Sequence, residues 1–363
     1  MKCAHLRRPL IAVVIAACLA AVLAVGCVVE NPPPPPLPPP PPALPSGLVI
    51  QPSSLAEDAQ GNLWFTILGI PKVGQLDRSG TVTEFTLPPV SFGANIVYGP
   101  DGNMWMVGIT TLGSAVAGNI IKMTPAGRST FYELPDSWVP EGLTVGPDGN
   151  LWFTAWAGAN PKGAVMIGRI TPAGALTVFP LPEPGTAPAT ITSGPEHSLW
   201  FTESPVGRIG RAATDGKVVE YHLPRKGTLP AQIAAGSDGN VWFTENFSDR
   251  VARMTPKGQI TEFTMPVRGE YEAIVAGPDG NLWIAVNRPG SAPNSTAGAI
   301  IRMTTKGAAT VFPVPSGTDV TNLIARRDGT LWFSERWKSG GSTYIGRITT
   351  AGEITETSLS LKK

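Results

Sequence analysis

The sequence predicts an all-β fold, a seven-bladed β-propeller with four antiparallel strands per blade. Three observations carry this. A tryptophan in a Leu-Trp-Phe-Thr-like segment recurs as Trp64, Trp105, Trp152, Trp200, Trp242, Trp283 and Trp332, 41 to 49 residues apart. An Ile-Gly-Arg-Ile-Thr-like segment follows each one, marked by Val73, Ile120, Ile167, Ile209, Val251, Ile300 and Ile345. The composition agrees: 41 Gly, 38 Pro and 15% charged residues suit a turn-rich β chain better than a helical one.

In chain order, the first element is a leader. Lys2, Arg7 and Arg8 precede an apolar run from Pro9 to Val25, the pattern of a secretory signal. The run ends in Leu23-Ala24-Val25-Gly26-Cys27, which resembles a bacterial lipobox. On that resemblance residues 1–26 are a lipoprotein signal peptide and Cys27 is the lipidated first residue of an exported, membrane-anchored protein of the cell envelope. The rival reading is an uncleaved signal anchor, which also exports the domain. Cys3 and Cys18 would leave with the leader, so the exported domain would have no free thiol for catalysis or metal binding and no disulfide. Removing Lys2, Arg7 and Arg8 from the 28 basic residues leaves 25 against 27 acidic, a net charge of −2. That balance argues against a nucleic-acid partner, which needs a basic stripe to meet phosphates.

Residues 27–46 form the tether, nearly all proline from Asn31 to Pro45. Such a tract favours polyproline II and, at roughly 3.1 Å per residue, holds a domain on the order of 40 Å from its anchor.

Residues 47–363 are the propeller. In each repeat strand a carries an apolar pair such as Leu143 and Val145. Asp148-Gly149 then makes a tight turn, because these residues accept positive φ. Strand b is Leu151-Trp152-Phe153-Thr154, strand c is Ile167-Gly168-Arg169-Ile170-Thr171, and strand d is typified by Thr261-Glu262-Phe263, with apolar and polar residues alternating. A single blade cannot cover its own faces, so blades bury one another radially. The repeated tryptophans are expected in equivalent buried positions between blades.

Spacing locates the variable face. From each strand-c residue to the next tryptophan the gap is 32 or 33 residues, but from tryptophan to strand c it runs from 9 to 17. The b–c connections therefore hold the length variation, at the end of the propeller where strand a begins. Loops grown on one side of a rigid scaffold suit binding, although drift at a tolerant site gives the same pattern. Trp156, in the long segment of blade 3, and Arg336, Trp337 and Lys338, in that of blade 7, lie outside the repeat. They read either as ligand contacts, since exposed Trp and Arg are favoured there, or as caps over the channel mouth. Blade 6 contributes Asn287 and Arg288.

The mouth is expected to be polar and acidic. Strand a opens with Ser53, Asn95, Glu141, Thr190, Gln232, Glu272 and Asn322, of which Asn95, Glu141, Gln232 and Asn322 are the candidate ligand contacts. Glu203, Glu245 and Glu335 end strand b. They are candidate oxygen ligands for a hard cation, or else they are solvated or paired with Arg336 and the strand-c arginines. The Asp-Gly-Asn turns lack the run of acids that a calcium loop needs.

The Gly-Pro-Asp-Gly-Asn-Leu-Trp-Phe-Thr, Ile-Gly-Arg-Ile-Thr and Ile-Thr-Glu-Phe segments are similar to those of the virginiamycin B (streptogramin) lyase family, from about Gly47 to Leu361. The resemblance implies a seven-bladed propeller. It implies Mg²⁺ as cofactor and a histidine base that opens a cyclic depsipeptide by elimination at its ester. The family's two histidine positions fall here on Glu272 and Asn322, its acid two residues before the second histidine on Val320, and its first-blade tyrosine on Ser53. Its acid after the last strand b falls near Glu335 or Arg336. Outside the leader the histidines are His197, in an a–b turn, and His222, on strand d, both away from the mouth. The expectation is a monomer that binds a small molecule or an exported protein at this face without the family's histidine chemistry. The alternative is a lyase with Glu272 as the base.

Overall fold

The computed structural model describes residues 51–359, apart from 89–90, 113–114, 136–137, 158–164, 183–186, 247, 290–295 and 337–343. The leader 1–26, Cys27, the tether 27–46 and Trp337 lie outside the described residues. Among the described residues, 28 strands form seven four-stranded antiparallel sheets in a ring, a β-propeller. The blades are 52–86, 91–133, 138–180, 188–222, 229–264, 270–313 and 319–358. The described helix amounts to two single turns, Pro195–His197 and Ser204–Val206.

Strand a of each blade packs on strand a of the next, so these strands line the axis. The ring closes where β25 (Asp319–Ala325) meets β1 (Pro52–Glu57). Every sheet is made from four consecutive strands, so among the described residues no strand crosses the closing seam. Side chains close it instead. Arg326 pairs with Glu57 at 3.0 Å, both nearly buried, and Arg327 donates its backbone N–H to the same carboxylate at 3.0 Å.

Strand b is buried on both faces, which explains its unbroken apolar run. The core lies between blades: Trp105 of blade 2 packs with Leu143, Leu151 and Phe153 of blade 3. Six tryptophans, Trp64 to Trp283, are fully buried. Each stacks on the Phe or Tyr of its own strand d, with ring centroids 5.1 to 6.0 Å apart. The a–b turns anchor these indoles. Asp148 accepts from Trp152 Nε1–H at 2.9 Å and from the Asn150 side chain at 2.8 Å. Burial works to raise its pKa, but these hydrogen bonds outweigh it and hold the carboxyl below its ordinary range. The Asp-Gly-Asn signature thus serves the tryptophan.

Strands b and c also fit each other by size. Gly168 faces Phe153, and a Cβ on that glycine would lie 2.0 Å from the ring. Blade 6 solves the same contact with Ile301 against Ile284.

Two expectations need correction. Trp332 is half-buried, unlike the other six. Thr357 replaces the strand-d aromatic that would cover it, and Arg326 stands where blade 3 has Gly146, whose missing Cβ makes room for the indole. The long b–c segments of blades 2 and 6 are also not simply loops. They extend the hairpin ladder, from Met104↔Met123 to Leu112↔Ala115 and from Leu282↔Met303 to Pro289↔Thr296.

Candidate functional site

Every strand a breaks register with strand b near its start. In blade 3 the pairs Pro140↔Ala155 and Leu143↔Phe153 leave Glu141 and Gly142 opposite Thr154 alone. Such a bulge leaves a residue unpaired and bends the strand. The shift falls at Ser53, Asn95, Glu141, Thr190, Gln232 and Glu272, and in blade 7 at Thr321, next to Asn322.

The strand-b threonine holds the bulge. Thr66 Oγ1 accepts from Ser54 N–H at 3.1 Å and donates to Ala94 O of blade 2 at 2.8 Å. Thr202 repeats this with Thr190 N–H at 3.3 Å and Ala231 O at 2.9 Å. Ser334 of blade 7 donates to Ser53 O of blade 1 at 3.2 Å. Where the last residue of this strand-b segment is Thr or Ser, it therefore ties the bulge to the next blade.

Blades 2 and 6 depart from this pattern: Val107 stands in place of the threonine in blade 2 and Ala285 in blade 6. Two residues on, the buried Asn287 makes the tie to blade 7: its side chain donates to Val320 O and accepts from Val320 N–H, both at 2.9 Å. The same amide nitrogen lies 3.3 Å from Glu272 Oε1, as its donor. Arg336 sits nearby, 3.8 Å from Asp319. The Glu272 carboxyl is pushed up to about 7. Burial is the main cause; Arg336 and the Asn287 hydrogen bond oppose it, while Glu270 and Asp319 reinforce it. A carboxyl of this pKa can accept or release a proton at neutral pH, and the adjacent guanidinium can hold a carbonyl or carboxylate oxygen. Of the residues around Glu272, Asn287 is expected from the long b–c segment of blade 6 and Val320 as the place of the family's acid, while Asp319 is not anticipated by the sequence reading.

Among the other strand-a candidates, Glu141 stands eleven residues before its tryptophan, as Glu272 does, whereas Asn95, Gln232 and Asn322 stand ten before theirs. Glu141 is pushed up to about 8 by burial alone. Asn95, Gln232 and Asn322 are half-buried. Asn322 Oδ1 accepts from Leu55 N–H of blade 1 at 3.3 Å, so it also serves the closing seam.

Glu203, Glu245 and Glu335 do not converge. Each is buried in its own blade beside that blade's strand-d glutamate. Arg208 bridges Glu203 and Glu220, at 3.2 Å to each. Glu245 is pushed up to about 7 by burial and by Glu262, against Arg250 and Arg225. Tyr344 takes the strand-c place of those arginines in blade 7. There Glu335 accepts hydrogen bonds from Ser316 and Thr318 and is raised to about 7, chiefly by burial. Among the described residues no group of three His, Cys, Asp or Glu comes together. This donor set does not fit a shared Mg²⁺ or Ca²⁺ site, because Glu203, Glu245 and Glu335 lie in separate blades, each with its own partners.

Trp156 belongs to strand b of blade 3 (Leu151–Ala157), pairs with Val165 and Val139, and is half-buried against the cluster of Trp152, Val165 and Leu181. His197 and His222 are exposed, the first in an a–b turn with φ of 50°, the second at the end of a strand d.

A model of the virginiamycin B lyase family matches residues 44–161 and 139–363. A streptogramin B lyase structure is 28% identical, with a TM-score of 0.68, over 86% of this chain and 95% of its own. A selenomethionine-substituted virginiamycin B lyase from Staphylococcus aureus is also 28% identical, with a TM-score of 0.67, over 80% of this chain and 95% of its own. A catalytically inactive histidine-to-alanine variant of virginiamycin B lyase from Staphylococcus aureus, with quinupristin, matches at 28% identity and a TM-score of 0.68, over 80% of this chain and 93% of that one. No curated protein matches the chain.

Proposed function

This chain belongs to the virginiamycin B lyase family, and from that premise we propose that it binds a cyclic depsipeptide or a ligand of similar chemistry at the b–c end of its channel, over Glu272, Asn287 and Arg336. One observation carries the reading. The buried Asn287 amide joins Val320 of blade 7 to the Glu272 carboxyl, which burial raises to about 7 against the opposing charge of Arg336. A carboxyl that keeps a costly burial suits a binding site better than a scaffold.

The positions of the two histidines favour binding without histidine-driven turnover. A histidine-to-alanine change leaves a relative catalytically inactive, while His197 and His222 here are exposed on a turn and on an outer strand. The carboxylates support no step through Mg²⁺. Arg336 would hold a carbonyl or carboxylate oxygen of the ligand, Glu272 would accept or donate at an amide or hydroxyl, and Asn287 would keep Glu272 in place.

Calorimetric titration of the protein with quinupristin tests this. Binding is expected, weakened about tenfold or more, or at least 1.4 kcal/mol, by Glu272→Gln and by Arg336→Ala. No binding, or equal binding by both variants, would overturn it. The raised pKa of Glu272 also favours a second reading, a lyase in which this carboxylate removes the proton. Mass spectrometry separates the two: linear product that appears with wild type, vanishes in Glu272→Gln and rises with a midpoint near the Glu272 pKa of about 7 supports the lyase.

The proposal includes export and lipid anchoring through Cys27, supported by the apolar leader and the proline tract. Cell fractionation checks it. Wild type is expected with membranes and Cys27→Ser in the soluble exported fraction; wild type already soluble would refute the anchor.

A further inference from the structure

The seam between blades 7 and 1 differs from the other six on the face opposite the candidate site. In those six seams two parts recur. A strand-d Phe or Tyr stacks on its tryptophan. A c–d turn glycine of the next blade closes over that ring: a Cβ at Gly216 would lie 2.1 Å from Phe179, and one at Gly352 2.0 Å from Phe312. In blades 2 to 6 a strand-c Arg or Lys also leans on the indole and donates to the next blade's turn carbonyl, as Arg302 does to Thr350 O at 2.7 Å, while blade 1 has Gln75 there.

The seventh seam lacks the ring. Thr357 occupies the strand-d place, and nothing lies within 4 Å of where a Cβ on Gly80 would stand. A cavity of about 540 Å³ opens here, lined by Trp332, Thr357, Gly80, Arg78, Arg326 and Arg347 among others. That size suits a small ligand.

The walls have a definite chemistry. Arg326 covers the Trp332 ring at 4.8 Å and is matched by Glu57. Asp77 and Asp328 line the cavity too: Asp77 accepts from Ser79 N–H and Thr81 N–H of its own turn, and Asp328 accepts from Thr330 N–H and feels the charges of Arg326 and Arg347. Arg78 and Arg347 are exposed at the rim.

We propose that this cavity binds a planar aromatic carboxylate, its ring in the space that a Phe or Tyr fills in the other six seams, against Trp332, and its carboxylate toward Arg78 and Arg347. The repeat supplies the ring-shaped gap, and the guanidiniums supply bidentate donors for the anion. This reading is independent of the channel site.

The probe is 2-naphthoate, titrated against the full chain and followed by saturation-transfer NMR. Cyclohexanecarboxylate, which keeps the charge without the flat ring, and 2-naphthalenemethanol, which keeps the ring without the charge, serve as controls. Naphthoate is expected to bind, with both controls about tenfold weaker or worse. Thr357→Phe, which restores the repeat's own ring, should abolish the signal without lowering Tm, and Arg78→Glu, at an exposed position, should weaken it about tenfold. No naphthoate binding at millimolar concentration, equal binding of the three probes, or binding untouched by Arg78→Glu would overturn the proposal.

Discussion

Glu141 and Glu272 occupy the same station in blades 3 and 6, yet their surroundings differ. Glu141 has burial alone acting on it, whereas Glu272 has an arginine and an amide to hold its charge and two acids to oppose it. The consequence for Glu141 is a pH-dependent loss of stability. An unfolded glutamate titrates near 4.3, and Glu141 in the fold titrates at about 8. Between those values the native state keeps a proton that the unfolded chain has released, so stability falls as pH rises through the window and stays lowered above it. Glu141→Gln removes the charge and is expected to raise Tm above that of wild type by at least about 2 °C at pH 9 and to leave it unchanged at pH 4. Thermal melts at the two pH values check this; an equal effect at both would be wrong for a titrating group. The residue identities at the mouth were legible in the sequence because the repeat fixed their station. Their partners were not. Asn287 reaches Val320 across 33 positions, a contact that only the ring geometry creates.

At the scale of the strand, the sequence was readable where a residue serves its own blade. The Asp-Gly-Asn turn, the Leu-Trp-Phe-Thr strand and the alternating strand d all appear where periodicity puts them. It was less readable where added length extends a strand instead of a loop. Blades 2 and 6 lengthen their b–c hairpins because the added residues keep pairing across the ladder, and gap length alone does not distinguish a ladder from a loop. The shared position of the three strand-b glutamates suggests either a common cation or pairing with strand-c arginines, and Glu203 on Arg208 follows the second. That position is shared within separate blades, and each acid is occupied by neighbours on strands c and d or the adjoining loop. The pairing of Phe153 with Gly168 gives a test of strand-level fit. Gly168→Ile is expected to destabilise the fold by about 1–3 kcal/mol through overpacking. Adding Phe153→Ile, which copies the Ile284–Ile301 pair of blade 6, should recover most of the loss in urea denaturation. Additive losses would show that the two positions do not compensate.

For the whole ring, the number of blades and the order of strands were legible because seven tryptophans count them. The closing seam was not, since nothing in a repeat says how its ends meet. The structure answers with Arg326 on Glu57 and Asn322 on Leu55, and with no exchanged strand among the described residues. Two places that depart from the repeat lie on either side of blade 7, the blade 6–7 seam at one end of the channel and the blade 7–1 cavity at the other, while blades 1 and 2 depart at Gln75 and Val107. Uniform blades bury one another, and the exceptions are left with groups available for other work.

The contiguous blades also bear on how the chain comes to be folded. During synthesis the polypeptide emerges from its N-terminus, and each sheet finishes its ladder before the next begins, since all its partners are near in sequence. Only the closing contacts, such as Arg326 with Glu57 across 269 positions, must wait for the last blade. Until then the product is an open arc, with the outer faces of its first and last blades bare and alike in kind. Two such arcs can satisfy each other as readily as themselves, so the rate of ring closure relative to molecular encounter sets the yield of monomer. Arg326 and Glu57, by drawing one arc's own ends together, bias that competition toward closure.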